Sequence, residues 1–156
     1  MDIEIDDVWK YLHLNEVRYL TIGGFAVNFY GYQRTTGDID LLIEDTLENR
    51  KKLRKAFKDI GIGDFEEIER IDFVPGWSDF ALSYGMRLDI MTSIKGFDQK
   101  EFAGLYQQSE LSHIGNIPVR FIDYKNLVAS KAATNRPKDL LDIEEMEKVK
   151  KWNEGQ

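Results

Sequence analysis

Two hydrophobic periods alternate along the chain, and together they predict strands interleaved with helices. Short apolar runs have the length and composition of strands, at 19–22, 38–44, 79–84 and 86–91. Apolar residues at helical spacing predict helices, at 8–14, 25–30, 45–60, 98–108, 123–134 and 138–152. The pattern is therefore typical of an α/β (α+β) fold, a small mixed β-sheet flanked by helices.

The residues between these runs carry signals for where elements begin and end. Asp45 and Glu48 have the spacing of a capping box and predict the start of the helix that runs to about 60. Gly85 separates two strand-like runs and predicts a hairpin, and Gly115 with Asn116 predicts a second. The segment 64–72 fits either a helix or a strand. The two last helices, at about 123–152, are expected to pack on the sheet.

Composition narrows the class of protein. The chain has 156 residues, of which 42% are hydrophobic and 31% charged, as in an ordinary globular protein, and we expect a single domain over 1–156. The net charge of −7 argues against a protein that coats nucleic acid non-specifically. Because cysteine is absent, disulfides and cysteine–zinc sites are excluded. The acidic N-terminus and the lack of a long apolar run predict a cytoplasmic protein without a membrane partner.

A diglycine stands where the first predicted strand gives way to a helix. Backbone amides of Gly23 and Gly24 at such a turn can hold a phosphate group. The same two residues can equally form a tight turn without a ligand. The next strand opens with Asp38 and Asp40, whose side chains share one face about 6.5 Å apart, since residues i and i+2 of a strand do so.

Asp89 is a third acidic residue in apolar surroundings, because it lies inside a strand-like run that would normally exclude it. It is a structural partner for Arg87, an edge-strand charge, or the third member of a metal-binding set with Asp38 and Asp40. In the last case it could also take a proton from an attacking hydroxyl. Three converging carboxylates suit Mg²⁺, a hard cation that prefers oxygen ligands.

Three further residues are candidates for contact with a nucleotide. Arg34 and Thr36 lie on the polar loop between the diglycine and Asp38, where each could reach a phosphate or remain solvated. Lys131 falls on the apolar stripe of its predicted helix, so it either extends past the core or points into a cleft. Asp139 could stabilise the start of the last helix or pair with Lys131 and hold it in position.

In these residues the chain resembles the nucleotidyltransferase superfamily, which includes DNA polymerase beta, tRNA CCA-adding enzymes and antibiotic nucleotidyltransferases. That family has a diglycine or Gly-Ser at a helix start, Asp-x-Asp on the next strand and an Asp on a later strand. Gly23-Gly24, Asp38-Ile39-Asp40 and Asp89 fill these places in order. The run 34–40 and the pattern of Lys131, Arg136 and Asp139 more narrowly resemble abortive-infection toxin-like nucleotidyltransferases.

The resemblance implies an enzyme that uses two Mg²⁺ ions and an NTP and releases pyrophosphate. It implies that Asp38, Asp40 and Asp89 are catalytic and hold metal, and that the nucleotide is bound by Gly23, Gly24, Arg34, Thr36 and Lys131. The acceptor would be a tRNA, a protein or a small molecule, and an antitoxin partner is expected in a toxin–antitoxin setting. The alternative is a catalytically inactive relative that binds a nucleotide or a protein. Larger relatives have an extra helical domain, so the core itself, a partner chain or another subunit is expected to recognise the acceptor.

Overall fold

The computed structural model describes residues 3–70 and 77–156 and contains one six-stranded sheet with helices packed against it. The strands of the described residues are β1 (Tyr19–Ile22), β2 (Asp38–Ile43), β3 (Trp77–Ala81), β4 (Arg87–Met91), β5 (Glu110–Ile114) and β6 (Ile117–Phe121). The α-helices are α1 (Ile5–Leu14), α2 (Gly23–Phe29), α3 (Leu47–Ile60), α4 (Glu67–Arg70), α5 (Phe102–Gln108), α6 (Tyr124–Thr134) and α7 (Pro137–Glu154). The predicted mixed α/β class is confirmed.

The strand order is β3-β4-β2-β1-β6-β5, so the sheet is mixed. β2 lies at its centre, antiparallel to β1 and parallel to β4. The outer pairs β3–β4 and β5–β6 are antiparallel hairpins. The central position of β2 explains why Leu41, Leu42 and Ile43 are all buried, since neighbours cover the strand on both edges and both faces.

The two faces of the sheet differ in chemistry because successive strand residues point to opposite sides. One face carries Leu41 and Leu88, which are fully buried, and is covered by α1 and α3. Phe57 of α3 contacts Phe80 of β3 edge-to-face at 4.8 Å between ring centroids. Trp9 of α1 donates a hydrogen bond to the Thr21 hydroxyl at 3.0 Å. The opposite face carries the acidic residues of β2 and β4 and faces α6.

Helix α3 shows how local sequence sets an element. Its buried stripe is apolar and recurs at helical spacing, with Leu53, Ala56, Phe57 and Ile60 at most 5% exposed. The helix ends at Gly61, whose φ of 98° is the left-handed conformation that glycine adopts without strain. Burial of one such Phe or Leu side chain contributes about 2 kcal/mol.

The predicted boundaries need some corrections. The capping box assigned to Asp45 is wrong, because the Thr46 side chain accepts the Asn49 amide hydrogen bond and Asp45 instead pairs with Arg50. Helix α2 begins at Gly23 rather than at 25, and Pro137 is the first residue of α7 rather than part of the linker. In the ambiguous segment, 67–70 is a short helix, and 71–72 lie outside the described residues.

Within 3–70 and 77–156, no helix combines the length and the apolar character needed to cross a membrane.

Candidate active site

Strand register brings Asp38, Asp40 and Asp89 together. Asp40 of β2 lies directly beside Asp89 of β4 in the parallel ladder, and Asp38 is on the same face two residues earlier. Each of the three residues has a carboxylate oxygen within 4.8 Å of those of the other two. The three acids that the sequence singled out therefore form one cluster, at the end of β2 that follows the polar loop.

Gly23 borders this cluster and could not be another residue without displacing it. Its φ is +67°, a conformation in which side chains other than glycine are strained. A β-carbon on Gly23 would lie 2.8 Å from Cγ of Asp40, closer than real contacts allow. The absence of a side chain thus lets the Asp40 carboxylate pack directly against the backbone at the start of α2.

Gly24 has the same relation to the polar loop. A β-carbon there would lie 2.7 Å from Cβ of Thr36 and 3.3 Å from Nη1 of Arg34. Thr36 itself donates a hydrogen bond to the backbone carbonyl of Asp38 at 3.2 Å. The diglycine, the loop and the acidic strand end are therefore in mutual contact, as the spacing of these motifs along the chain predicts.

Burial and the neighbouring negative charges raise the pKa values of Asp40 and Asp89. Burial is the largest cause that raises the pKa of Asp40 to about 7, and the hydrogen bond and charge of Asp89 and the charge of Asp38 add to it. The exposed Lys138 ammonium acts in the opposite direction. The pKa of Asp89 is also raised, mainly by burial, although the Asp40 hydrogen bond and Arg87 lower it.

The cluster fits a divalent cation. In the described part of the chain, Oδ1 of Asp89 is buried and has no hydrogen-bond partner. A buried oxygen without a partner is costly, and so is a group of like charges, unless a cation compensates both. A hard cation between the three carboxylates would satisfy the lone pairs of Asp89 and remove the repulsion.

Arg87 is not the partner of Asp89. Its guanidinium pairs with Asp79 of β3, where Nε lies 2.9 Å from Oδ2. Asp79 is directly opposite Asp89 in the antiparallel ladder, and its charge helps to raise the pKa of Asp89. Among the described residues Arg87 therefore forms its ion pair with Asp79, and it acts on Asp89 only through its charge, which lowers the pKa of Asp89.

A network of ion pairs around two buried carboxylates forms the wall opposite the acidic cluster. Asp139 and Asp142 of α7 are each 1% exposed. Lys131 of α6 lies between them, with Nζ at 2.9 Å from Asp142 and 3.4 Å from Asp139. Arg136 pairs with Asp139 at 2.7 Å. Burial raises the pKa of Asp139, but the Arg136 hydrogen bond and the charges of Lys131 and Arg136 outweigh burial and hold it below its ordinary value.

Arg34 joins the same network from the polar loop. Its Nε and Nη2 donate hydrogen bonds to the two carboxylate oxygens of Asp142, at 2.8 and 3.0 Å. Such paired bonds fix the plane of a guanidinium as well as its position. The loop that precedes β2 is therefore attached to α7.

A cleft lies between the acidic cluster and this network. Its narrow part has a volume of about 140 Å³ and is bordered by the diglycine, the polar loop and cationic residues, with Gly23, Gly24, Arg34, Thr36, Asp38, Asp40, Lys131, Arg136 and Lys138 among its lining. A wider part of about 210 Å³ continues from it and is more apolar, lined in part by Ile22, Met91, Ile94 and Leu127. Both parts border Asp40 and Lys131, so Asp40 of the acidic cluster lies at their junction.

The structure thus brings together all the residues that the sequence singled out, and it adds two more. Asp142 was missed because α7 reverses the usual pattern, burying Asp139 and Asp142 while Leu140 and Leu141 are about half exposed. Lys138 was given no role. It is exposed at the mouth of the narrow part, and no carboxylate of the described residues forms an ion pair with it. Asp139 and Asp142 are three residues apart, a spacing that places two side chains on one helix face, and this was the available signal for Asp142.

Comparisons with known proteins agree on the fold. No protein-family model matches the chain, and no curated protein matches it significantly. Among solved structures, the lincosamide antibiotic adenylyltransferase LnuA in its lincomycin-bound form is 16% identical, with a TM-score of 0.58 over 96% of this chain and 99% of that one. A putative nucleotidyltransferase from Thermotoga maritima is 13% identical, with a TM-score of 0.54 over 96% of this chain and 89% of that one.

A third solved structure, an antigenic nucleotidyltransferase-like protein from Paracoccidioides brasiliensis, is 15% identical. Its TM-score is 0.55 over 91% of this chain and 72% of that one. All three are nucleotidyltransferases or are described as similar to them, and one acts on an antibiotic. The likeness predicted from the diglycine and the three acids is confirmed at the level of architecture, and the chain has the nucleotidyltransferase fold.

Proposed function

We propose that the protein is a Mg²⁺-dependent nucleotidyltransferase that moves NMP from an NTP to a hydroxyl acceptor, with residues 1–156 acting as one domain. The observation that carries this proposal is the cluster of Asp38, Asp40 and Asp89, whose carboxylate oxygens lie within 4.8 Å of one another beside Gly23. Asp40 of this cluster lies where the cation-lined part of the cleft meets the more apolar part. A phosphate group needs cationic surroundings, and a nucleoside needs more apolar ones.

The three carboxylates would hold the metal, and by family resemblance two ions. Bound Mg²⁺ would neutralise charge on the triphosphate and favour loss of the acceptor proton. Asp89 is suited to receive that proton, because its Oδ1 has no partner among the described residues and its pKa is raised. The acceptor oxygen forms a bond to the α-phosphorus, the bond from that phosphorus to the bridging oxygen breaks, and pyrophosphate leaves.

The narrow part of the cleft would bind the phosphates. Gly23 and Gly24 leave room for a close approach to the backbone. Thr36, Arg34 and Lys131 supply a hydroxyl and two cations along the same wall. The charges of Arg34 and Lys131 are already balanced by buried carboxylates, so these side chains act as oriented donors.

For the acceptor we propose classes of molecule rather than one compound. A tRNA, a protein or a small molecule would each present a hydroxyl, and the net charge of −7 favours the last two over tRNA. The likeness to a lincosamide adenylyltransferase over 99% of its length supports a small molecule. A toxin role with an antitoxin partner, and a cytoplasmic location, remain predictions from the sequence. An inactive nucleotide-binding module is less favoured, because all three acids are present and clustered.

The direct test is label transfer. The protein is incubated with each α-labelled NTP, Mg²⁺, and pools of tRNA, proteins or aminoglycoside and lincosamide compounds. We expect label on one acceptor pool, lost with EDTA and with Asp40→Asn, but kept in Asp59→Asn, a matched change on the exposed surface of α3. Calorimetry with MgATP separates the alternatives: binding without transfer to any pool would favour the inactive module, and no binding would contradict both.

A further inference from the structure

We propose that Asp142 is a positioning residue, which holds Arg34 and Lys131 in the orientation that binds the phosphates of the nucleotide. This inference rests on the proposed function and adds to it a residue that does not touch the substrate. Asp142 is 1% exposed and lies behind the two cations, away from the narrow part of the cleft that they line. It therefore acts through them.

The geometry of Arg34 is the first argument. Asp142 accepts hydrogen bonds from two of the three guanidinium nitrogens of Arg34, Nε and Nη2. The third, Nη1, lies 3.3 Å from the position that a β-carbon of Gly24 would occupy. Its only hydrogen bond within the described residues is a long one of 3.4 Å, to the carbonyl of Thr35. The bidentate pair thus directs the remaining donor toward the diglycine, where a phosphate would lie.

The second argument is that one carboxylate serves two cations from different elements. Oδ2 of Asp142 accepts from Nη2 of Arg34 at 3.0 Å and lies 2.9 Å from Nζ of Lys131. Arg34 belongs to the loop before β2, Lys131 to α6 and Asp142 to α7. Without Asp142, Arg34 would lose its carboxylate partner and Lys131 would keep only the longer contact with Asp139, at 3.4 Å. The ligand itself would then have to order the two side chains more, which weakens binding.

The third argument concerns the direction in which phosphate affinity changes when the charge of Asp142 is removed. This direction differs between a positioning role and a purely electrostatic one. Asp142 is an anion close to a site for anions. Removing its charge would strengthen phosphate binding if the general potential of the cleft were what mattered. If Asp142 orients the cations, its removal weakens binding in spite of the more positive cleft. The two interpretations predict opposite changes in affinity.

The test is calorimetric titration of wild type and Asp142→Asn with MgATP and, separately, with inorganic tripolyphosphate. We expect both ligands to bind about tenfold more weakly to the variant, as for a lost set of oriented charge-assisted bonds. Glu144→Gln is the matched control, since it removes the same charge from the exposed side of α7 and should leave both affinities unchanged. Equal or tighter binding by folded Asp142→Asn would overturn the proposal.

Asp142→Asn leaves Arg34 without its buried partner and Lys131 with only Asp139, so a second variant guards against loss of the fold. Arg34→Lys keeps the charge but cannot form the two-oxygen pair. We expect it to weaken tripolyphosphate binding about fivefold. Adding Asp142→Asn to Arg34→Lys should then reduce the affinity by a smaller factor than Asp142→Asn does in wild type. Wild-type affinity in Arg34→Lys would also overturn the proposal. If wild type binds neither MgATP nor tripolyphosphate, the proposed function fails, and the role of Asp142 fails with it.

Discussion

Helices α3 and α7 each have a buried face, yet the two faces bury opposite kinds of side chain. The buried stripe of α3 is apolar from Leu53 to Ile60. The first two turns of α7 bury Asp139 and Asp142 and leave Leu140 and Leu141 about half exposed. The first arrangement stabilises the fold through removal of apolar surface from water, whereas the second fixes cations at a cleft.

The difference shows what each region contributes in free energy. Buried apolar side chains add directly to stability. A buried ion pair recovers little of the cost of removing charge from water, and replacing it by apolar residues is often neutral or stabilising. The network around Lys131 is therefore better explained by geometry at the cleft than by stability. Stability explains the acidic cluster even less well, since its like charges repel one another and oppose folding.

The largest expected effect concerns chemistry on the acidic face. Asp40→Asn should reduce nucleotidyl transfer by about 10³-fold or more, the equivalent of some 4 kcal/mol in the barrier. It removes one of three carboxylates while keeping the side-chain volume. The measurement is initial rate under saturating NTP and Mg²⁺. A residual rate within tenfold of wild type would contradict the assignment of this face as the active site.

The next effect concerns stability on the opposite face. Phe57→Ala should lower the free energy of unfolding by about 3–5 kcal/mol, because it leaves a cavity beneath Phe80. Leu141→Ala, on the exposed side of α7, should change it by less than about 0.5 kcal/mol. Urea denaturation measures both. An equal loss in the free energy of unfolding for the two variants would contradict the proposed difference between α3 and α7.

A third prediction uses pH to detect the repulsion among the acids. The pKa of Asp40 is about 7 in the folded protein against an ordinary 3.8, so the native state binds more protons between these values. Without divalent metal, the contribution of this group to stability should thus be greatest below about pH 4 and fall as pH rises from 4 to 7, by up to about 4 kcal/mol.

Denaturation in EDTA at several pH values checks that prediction. Mg²⁺ at pH 8 should restore most of the loss, because it compensates the ionised carboxylates, and Asp40→Asn should flatten the pH dependence. A wild-type profile in EDTA that matches the Asp40→Asn profile would show that the carboxylates do not strain the fold.

The smallest effect is expected at the mouth of the cleft. Lys138→Gln should raise KM for the NTP about threefold with little change in kcat, as for an exposed charge worth under 1 kcal/mol. Steady-state kinetics at two salt concentrations measures it, with Lys151→Gln as the exposed lysine control on the same helix. An unchanged KM would place the phosphates away from Lys138.

The sequence identified candidate site residues where a residue type is unusual for the run of residues around it. Asp89 lies inside an apolar run, and the diglycine interrupts a strand-to-helix transition, so both are visible without coordinates. The parallel register that sets Asp40 beside Asp89 was not readable, because strand pairing depends on contacts distant in the chain. Asp142 was hidden for a similar reason, since its partner Arg34 lies on another element and acidic residues on a helix usually face solvent. The Thr46 cap was missed because Asp45 offers an equally good local signal.

The contact between Arg34 and Asp142 joins positions 108 residues apart. A ribosome releases the chain from its N-terminus, so the diglycine, the polar loop and all three acids emerge well before the carboxylate that orders Arg34 and Lys131. The half-made polypeptide therefore carries the acidic cluster before the cation-lined wall of the cleft is complete, and that wall is assembled only when the last helix docks.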